Sequence, residues 1–432
     1  MNRIVFFLCF FLIAAKVAAQ QLTLDTAIAI ALKNSPGLMI YKNNIDIAGL
    51  NNSYGMAGGL PFVQANSTGT EQFTSLEQKY SNPLNNKSST NANSASITAG
   101  LAASMPLYSG GSIVNEKKRL DVVVTQTKLQ YTSRAQAVIY GVMLKYYDIV
   151  RQQGYAKTLE ASINASQKRL EIVKQQQSVG VANDADLFQS QVDLNTQTQS
   201  LIAQQLIIDQ DKTDLLALMI LNPDSTIAVK DTIIVDKDIR LDSVMNEALQ
   251  NPDVQAAYEQ IRIYQYLEKE TSAQRYPSVL ANLGYNFSRT TNPQGFNTLN
   301  QAYGPYVGLG LTIPIFNGGI YKRQEHIAGI NVNTAKLQKD TLMQGVQASV
   351  VKNWQAYLNN LKQLETAKQN FDLSLKLLNL VLMRFQYKVA TIVDVTLAQQ
   401  SFESAGFQLV NVSYAAKTAE IQLRRLANQL PY

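Results

Sequence analysis

Met105-Pro106-Leu107-Tyr108-Ser109-Gly110-Gly111 and Ile313-Pro314-Ile315-Phe316-Asn317-Gly318-Gly319 stand 208 residues apart in a chain of 432. The second reads as the first written again, with apolar and small residues exchanged in kind. Proline has no N–H to give a strand ladder, and glycine reaches backbone angles closed to other residues. Each copy therefore reads as a junction where strand pairing ends and a helix begins: Pro106, Gly110 and Gly111 in one, Pro314, Gly318 and Gly319 in the other.

The same offset aligns Leu129 with Leu337, Val138 with Val346, Val142 with Val350, Tyr146 with Trp354, Val150 with Leu358 and Asp186 with Asp394. Upstream it changes to 217 at Leu24-Asp25 and Leu241-Asp242, and to 216 at Pro61 and Pro277. The first half thus carries eight extra residues between Pro61 and Met105, which the sequence places in one polar loop. A fixed internal period is the signature of a duplicated architecture.

Downstream of each Gly-Gly the pattern is helical without interruption. Leu120, Val124, Tyr131, Val138, Val142, Tyr146 and Val150 recur at steps of four and seven, and Leu342, Val346, Val350, Trp354, Leu358 and Leu361 at steps of four and three. Neither arm contains proline, and Gly111 to Gly180 and Gly319 to Lys388 both span 69 residues. At about 1.5 Å per residue a straight arm of that length reaches about 100 Å. Short breaks at Val179-Gly180-Val181-Ala182-Asn183-Asp184 and Lys388-Val389-Ala390-Thr391 precede return helices to about Leu221 and Leu426. Asn222-Pro223 ends the first, and Thr226–Val229 and Thr232–Val235 are expected as two short strands.

Upstream of each junction, residues 22–57 and 239–273 have helical spacing, followed by segments that alternate. Ile97, Ala99, Leu101, Ala103, Met105 and Leu107 share one face, with Thr98, Gly100, Ala102, Ser104 and Pro106 on the other. Val307, Leu309, Leu311, Ile313 and Ile315, and Val279, Ala281, Leu283, Tyr285 and Phe287, form further apolar faces. Strands of about ten residues with one apolar and one small or polar face suit a membrane barrel, although a soluble sandwich hairpin shares the pattern. Residues 73–96 and 288–304, crowded with Asn, Ser, Thr and Gln, are expected as exposed loops.

The expected division is a signal peptide at 1–19, a first repeat at 20–221, a connecting segment at 222–238 and a second repeat at 239–432. The first repeat holds strands about 60–72 and 95–108 and a helical hairpin about 112–221. The second holds strands about 277–289 and 304–316 and a hairpin about 320–426. Arg3, the apolar run Ile4–Ala15 and Lys16-Val17-Ala18-Ala19 carry the secretory reading.

Composition narrows the function. Without Arg3 and Lys16 the chain has 36 basic against 32 acidic residues, a balance that calls for no nucleic-acid partner. Cys9, the one cysteine, lies in the apolar run, and His326 is the one histidine. Zinc sites of His or Cys type and Ser-His-Asp or Cys-His machinery lack their parts, and His326 reads as a solvated or packing residue. No phosphate loop is present, so neither an enzyme nor a cofactor is expected.

The two halves, both Pro-x-x-x-Gly-Gly junctions and Thr391-Ile392-Val393-Asp394-Val395 resemble the TolC-like outer-membrane efflux family across essentially the whole mature chain. The resemblance implies a mainly α fold with a membrane β-barrel: each half gives two strands to a trimeric twelve-stranded barrel and long helices to a periplasmic α-barrel. It implies a homotrimer in outer-membrane lipid, extending into the periplasm to meet an adaptor (membrane fusion) protein and an inner-membrane pump. The function implied is the exit duct of a tripartite efflux or type I secretion system. The alternative is a periplasmic coiled-coil adaptor or structural stalk.

By position, Asp394 falls where the family has an acidic ring at the tunnel tip, Asp186 is its counterpart, and Phe385 stands where a gating tyrosine is often found. Both aspartates also suit helix caps, Phe385 a packing role and Lys388 a solvated turn. Gly180, Val181, Lys388 and Val389 fall at the adaptor-facing turns. Ala390 and Leu397 replace a gating arginine and a second ring acid, and Lys388-Val389 replaces the usual glycine pair.

Overall fold

The computed structural model describes residues 20–293 and 297–431; the expected signal peptide, 1–19, lies outside the described residues. In chain order the elements are β1 (Gln20–Leu22), α1 (Leu24–Asn34), α2 (Pro36–Asn51), β2 (Phe62–Gln78), β3 (Lys87–Ser109), α3 (Ser112–Ser178) and α4 (Asp184–Leu218). There follow β4 (Ile227–Val229), α5 (Leu241–Ala248), α6 (Pro252–Ala273), β5 (Ser278–Thr291), β6 (Leu299–Thr312), α7 (Ile320–Gln386) and α8 (Ile392–Leu426). The 208-residue offset is kept in the elements themselves: α3 and α7 have 67 residues each, α4 and α8 have 35 each. Pro36 and Pro252, each at a helix start, split the two upstream helical stretches, because proline fits the first turn where its missing N–H has no intrahelical partner.

Two compact units divide the chain. One comprises Lys42–Gln130 and Asp253–Leu342. Its centre is an antiparallel sheet in the order β2-β3-β5-β6. The register sets Leu101 beside Ala65 and Tyr285, and Leu283 beside Ala103 and Val307. Between the bulges at Thr74/Leu76 and Pro106/Tyr108, odd-numbered residues of all four strands therefore share one face. On β5 and β6, from Val279 and Leu311 to Phe287 and Tyr303, that face is continuously apolar, about 26 Å along the strand at about 3.3 Å per residue. The opposite face carries Gln64, Asn66, Thr98, Ser104, Asn282 and Asn286.

The strands run further than the alternation suggested. β2 continues past 72 to Gln78 and β3 begins at Lys87, with Phe73 paired to Asn93 and Gln78 to Lys87. The expected loop at 73–96 is thus a ladder closed by 79–86, and the eight extra residues lengthen two strands. Likewise β5 reaches Thr291 and β6 begins at Leu299. Polar residues on both faces of a fully hydrated strand leave no period to read. The other ends differ too. Pairing continues past Pro106 through a bulge to Tyr108 and Ser109, whereas β6 stops at Thr312, so 313–316 is not strand.

The second unit comprises Tyr131–Pro252 and Met343–Tyr432 with the segment up to Tyr41. β1 pairs with β4 in parallel. That small sheet and α1 pack Leu22, Ala27, Ile28, Ile227 and Val229 against Ile139, Tyr146, Ile149, Leu215 and Leu216. Tyr146 donates its hydroxyl hydrogen to the Leu22 carbonyl at 3.2 Å. The strand expected at Thr232–Val235 is absent, because α8 side chains hold this segment instead. Lys417 Nζ donates to Ile234 O at 2.9 Å, the Asp236 N–H donates to Glu420 at 3.0 Å, and Arg424 pairs with Asp236 at 2.6 Å.

The ends of α4 and α8 also correspond. Ile220 and Asn428, 208 residues apart, both have positive φ, 55° and 57°. Asparagine tolerates this region; a β-branched residue there is strained. Ile220 is 53% exposed, so little packing opposes the relief of strain. Ile220→Asn is expected to stabilise the fold by about 1 kcal/mol, read as a higher apparent melting temperature in detergent, with Asn428→Ile moving it down.

Candidate functional site: the helical tips

The breaks between α3 and α4 and between α7 and α8 have one geometry. Gly180 has φ 76° and Lys388 φ 61°. The Val181 N–H donates to Gln176 O and the Val389 N–H to Arg384 O, at 2.9 and 2.8 Å. Both helices therefore close with the left-handed turn that satisfies their last carbonyls. Val181 and Val389 follow the turns and are exposed, as are Val179, Tyr387 and Val393. Lys388→Gly is expected to remove the strain of a left-handed lysine and raise the melting temperature slightly, since glycine is at home there.

The return helices start with matching caps. Asn183 Oδ1 accepts the Asp186 N–H at 2.8 Å, and Thr391 Oγ1 accepts the Asp394 N–H at 3.2 Å. In the second tip the bond is reciprocated: the Thr391 N–H and hydroxyl each donate to Asp394 Oδ2 at 2.8 Å. Asp394 thus completes a capping box. The Thr391 N–H and then its hydroxyl hold the Asp394 carboxyl below the ordinary carboxylate range. A lowered folded pKa means this stabilisation is complete above the unfolded value near 3.9 and is lost as pH falls through the folded one. The protection of the amides at the start of α8 relative to their intrinsic exchange rates, measured against pH, is expected to fall below about pH 4, and Asp394→Asn to lower it at neutral pH.

Phe385 points into a cluster with Val173, Leu378, Leu382, Val395, Ala398 and Phe402 and is 7% exposed. Its carbonyl accepts Gln176 Nε2 at 3.3 Å, which brings the two tips together. Asp186 and Asp394 are not bonded to each other. Ala390 packs at the edge of the same cluster, and Leu397 is exposed.

One strong feature escaped the sequence reading. Arg169 of α3 is fully buried, donating to Asp193 of α4 at 2.6 Å and to Thr396 of α8 at 2.9 Å. Beside it Gln399 Nε2 donates to Ser162 and Ser166 at 2.6 and 2.8 Å. Arg169 stands four residues from both Ala165 and Val173, which are buried, so helical periodicity alone would have marked it as a charge on a core face.

The strand-to-helix junctions use both glycines. Gly110 and Gly111 have φ 66° and 88°, Gly318 and Gly319 65° and 76°. The Asn115 N–H donates to Gly111 O and the Arg323 N–H to Gly319 O, both at 3.1 Å, which starts α3 and α7. Among the described residues no group of three or more His, Cys, Asp or Glu side chains could hold a metal ion.

Residues 27–219 and 244–429 match the family described as outer membrane efflux protein. The chain belongs to that family. This efflux protein is accordingly an outer-membrane protein of a transport family. No curated protein sequence matches it. Its fold is similar to that of CusC, with TM-score 0.76 and 18% identity over 95% of this chain and 92% of that one. VceC of Vibrio cholerae gives 0.76 and 17% over 94% and 95%, and the outer-membrane channel OprN 0.76 and 13% over 94% and 90%. At such identities the likeness speaks for the fold: a mainly helical chain with strands of the barrel type.

Proposed function

We propose that three copies of the efflux protein close their sheets into one twelve-stranded barrel and continue as a helical tunnel, forming the exit duct of a tripartite efflux or type I secretion system. The carrying observation is the sheet itself. It has one apolar face, and among the described residues β2 and β6 each pair on one side only. Unpaired strand edges are not tolerated in lipid, so four strands require further copies to close. The exposed turn residues Val181 and Val389, with Gly180 and Lys388 shaping the turns, are where a periplasmic adaptor linked to an inner-membrane pump would dock.

Asp394 and Asp186 are candidates for an acidic constriction, a role compatible with capping because both Asp394 bonds from Thr391 fall on one oxygen. Conductance of the purified protein in planar bilayers, together with its oligomeric mass, tests the proposal. Channels of trimeric mass are expected; a monomer released from membranes by a salt wash would sink it. Unchanged cation selectivity in Asp394→Asn would remove the constriction role alone.

A further inference from the structure

Between its bulges the polar face of the four-stranded sheet carries no charge; Lys87, opposite Gln78 beyond the bulge at Thr74 and Leu76, stands outside that stretch. The register joins the even-numbered residues of β2, β3, β5 and β6 on one surface, from Gln64 beside Ala102 and Gly284 to Thr290 beside Asn300. Among the described residues of that face, over 62–74, 92–106, 278–290 and 300–312, there is no Asp, Glu, Lys, Arg or His. It is built of Asn, Gln, Ser, Thr and Gly with a few apolar residues. Charges do occur on these strands, but Glu71 and Arg289 stand at odd positions beyond the apolar band, and Glu77 and Lys87 lie at the far end of β2 and β3, past the bulge. Bulk is also held back. A Cβ on Gly284 would lie 2.8 Å from both Cε1 and the hydroxyl oxygen of Tyr306, so the Tyr306 side chain lies across that glycine against the wall.

The geometry points to a membrane section of the duct that does not discriminate cargo by charge: a bore walled by amides, hydroxyls and glycine that passes cations, anions and neutral polar molecules alike. This rests on the barrel reading above. A few fixed charges on a bore wall, within a Debye length of about 10 Å at 0.1 M salt, raise potentials of several kT and enrich one sign of solute. A wall without them has no such lever. Hydrogen-bonding groups spaced along every strand replace part of a polar solute's hydration whatever its charge. Any selection by sign therefore falls to the helical part of the chain and to its partners.

Residues 20–432 contain no cysteine, which allows a direct test on the full assembled protein in lipid vesicles. In a Cys9→Ser background, Ser104→Cys, Thr98→Cys and Asn282→Cys report the even face at three sites, so one misfolded variant leaves two; Leu283→Cys reports the odd face. Each is treated with a cationic trimethylammonium methanethiosulfonate and with its anionic sulfonate counterpart. The even-face thiols are expected to react with both, at a rate ratio within about threefold of that for free mercaptoethanol, while Leu283→Cys stays protected. A ratio skewed about tenfold or more toward either reagent, the mark of a potential of about 1 kT or more because the two reagents respond with opposite sign, overturns the inference and leaves the barrel standing. Reaction at Leu283→Cys with protection of the even face overturns the barrel orientation, and the inference with it.

Discussion

Gly110→Ala is expected to abolish assembly of the protein in the outer membrane, while Gly318→Ala, at the equivalent position, leaves it largely intact. Both glycines have φ near 65°, where an L side chain costs about 1–2 kcal/mol. Their surroundings differ. A Cβ at Gly110 would sit 2.4 Å from the Ala273 carbonyl oxygen and 2.9 Å from Tyr276 Cβ; at Gly318 it would meet nothing within 4 Å. A backbone oxygen at the end of α6 cannot rotate away as a flexible side chain can. The clash must be relieved by moving the chain where β3 passes into α3, for a total of about 3 kcal/mol or more. The amount of heat-modifiable oligomer in outer-membrane fractions measures both variants, and equal losses would remove the argument from the Ala273 contact.

Asp193→Ala is the second large effect. It leaves the Arg169 guanidinium fully buried with only the Thr396 hydroxyl as partner. Stranding one member of a buried ion pair costs about 3–5 kcal/mol, because the remaining charge has neither water nor a counter-charge. The double variant Arg169→Met with Asp193→Leu removes both charges and fills the space, and it is expected to recover most of that loss. The readout is amide exchange in α3, α4 and α8 around these residues, together with the melting temperature. If the double variant is no better than the single, the pair is not what holds these helices.

How much of this was legible depended on whether a pattern had a period. The apolar face of the sheet is legible because Leu101, Leu283 and Val307 alternate with small or polar residues. The extensions of β2 and β3 are not, because Ser, Thr and Asn on both faces resemble loop composition, and only the cross-strand register reveals them. Equal arms could be counted between Gly-Gly and the turns. The turn at Lys388 could be placed by its offset from Gly180, but its left-handed backbone could not be read from a lysine, nor that of Ile220 from an isoleucine. Thr232–Val235 has strand composition, yet Lys417, Glu420 and Arg424 of α8 bind that region's backbone and Asp236 in place of a neighbouring strand. At the tip, resemblance marked Phe385 and Asp394 as positions of interest. Only the packing shows one facing Phe402 and Val395 and the other tied to Thr391.

The matched helix lengths, 67 with 67 and 35 with 35, make the tip a dimension that no single mutation can edit. Seven residues lost from α3 alone would draw one turn back by about 10 Å at about 1.5 Å per residue and part Gln176 from Phe385. A shorter version of this protein is reached only by removing the same number of residues from all four helices, so its reach across the periplasm is inherited as a single indivisible length.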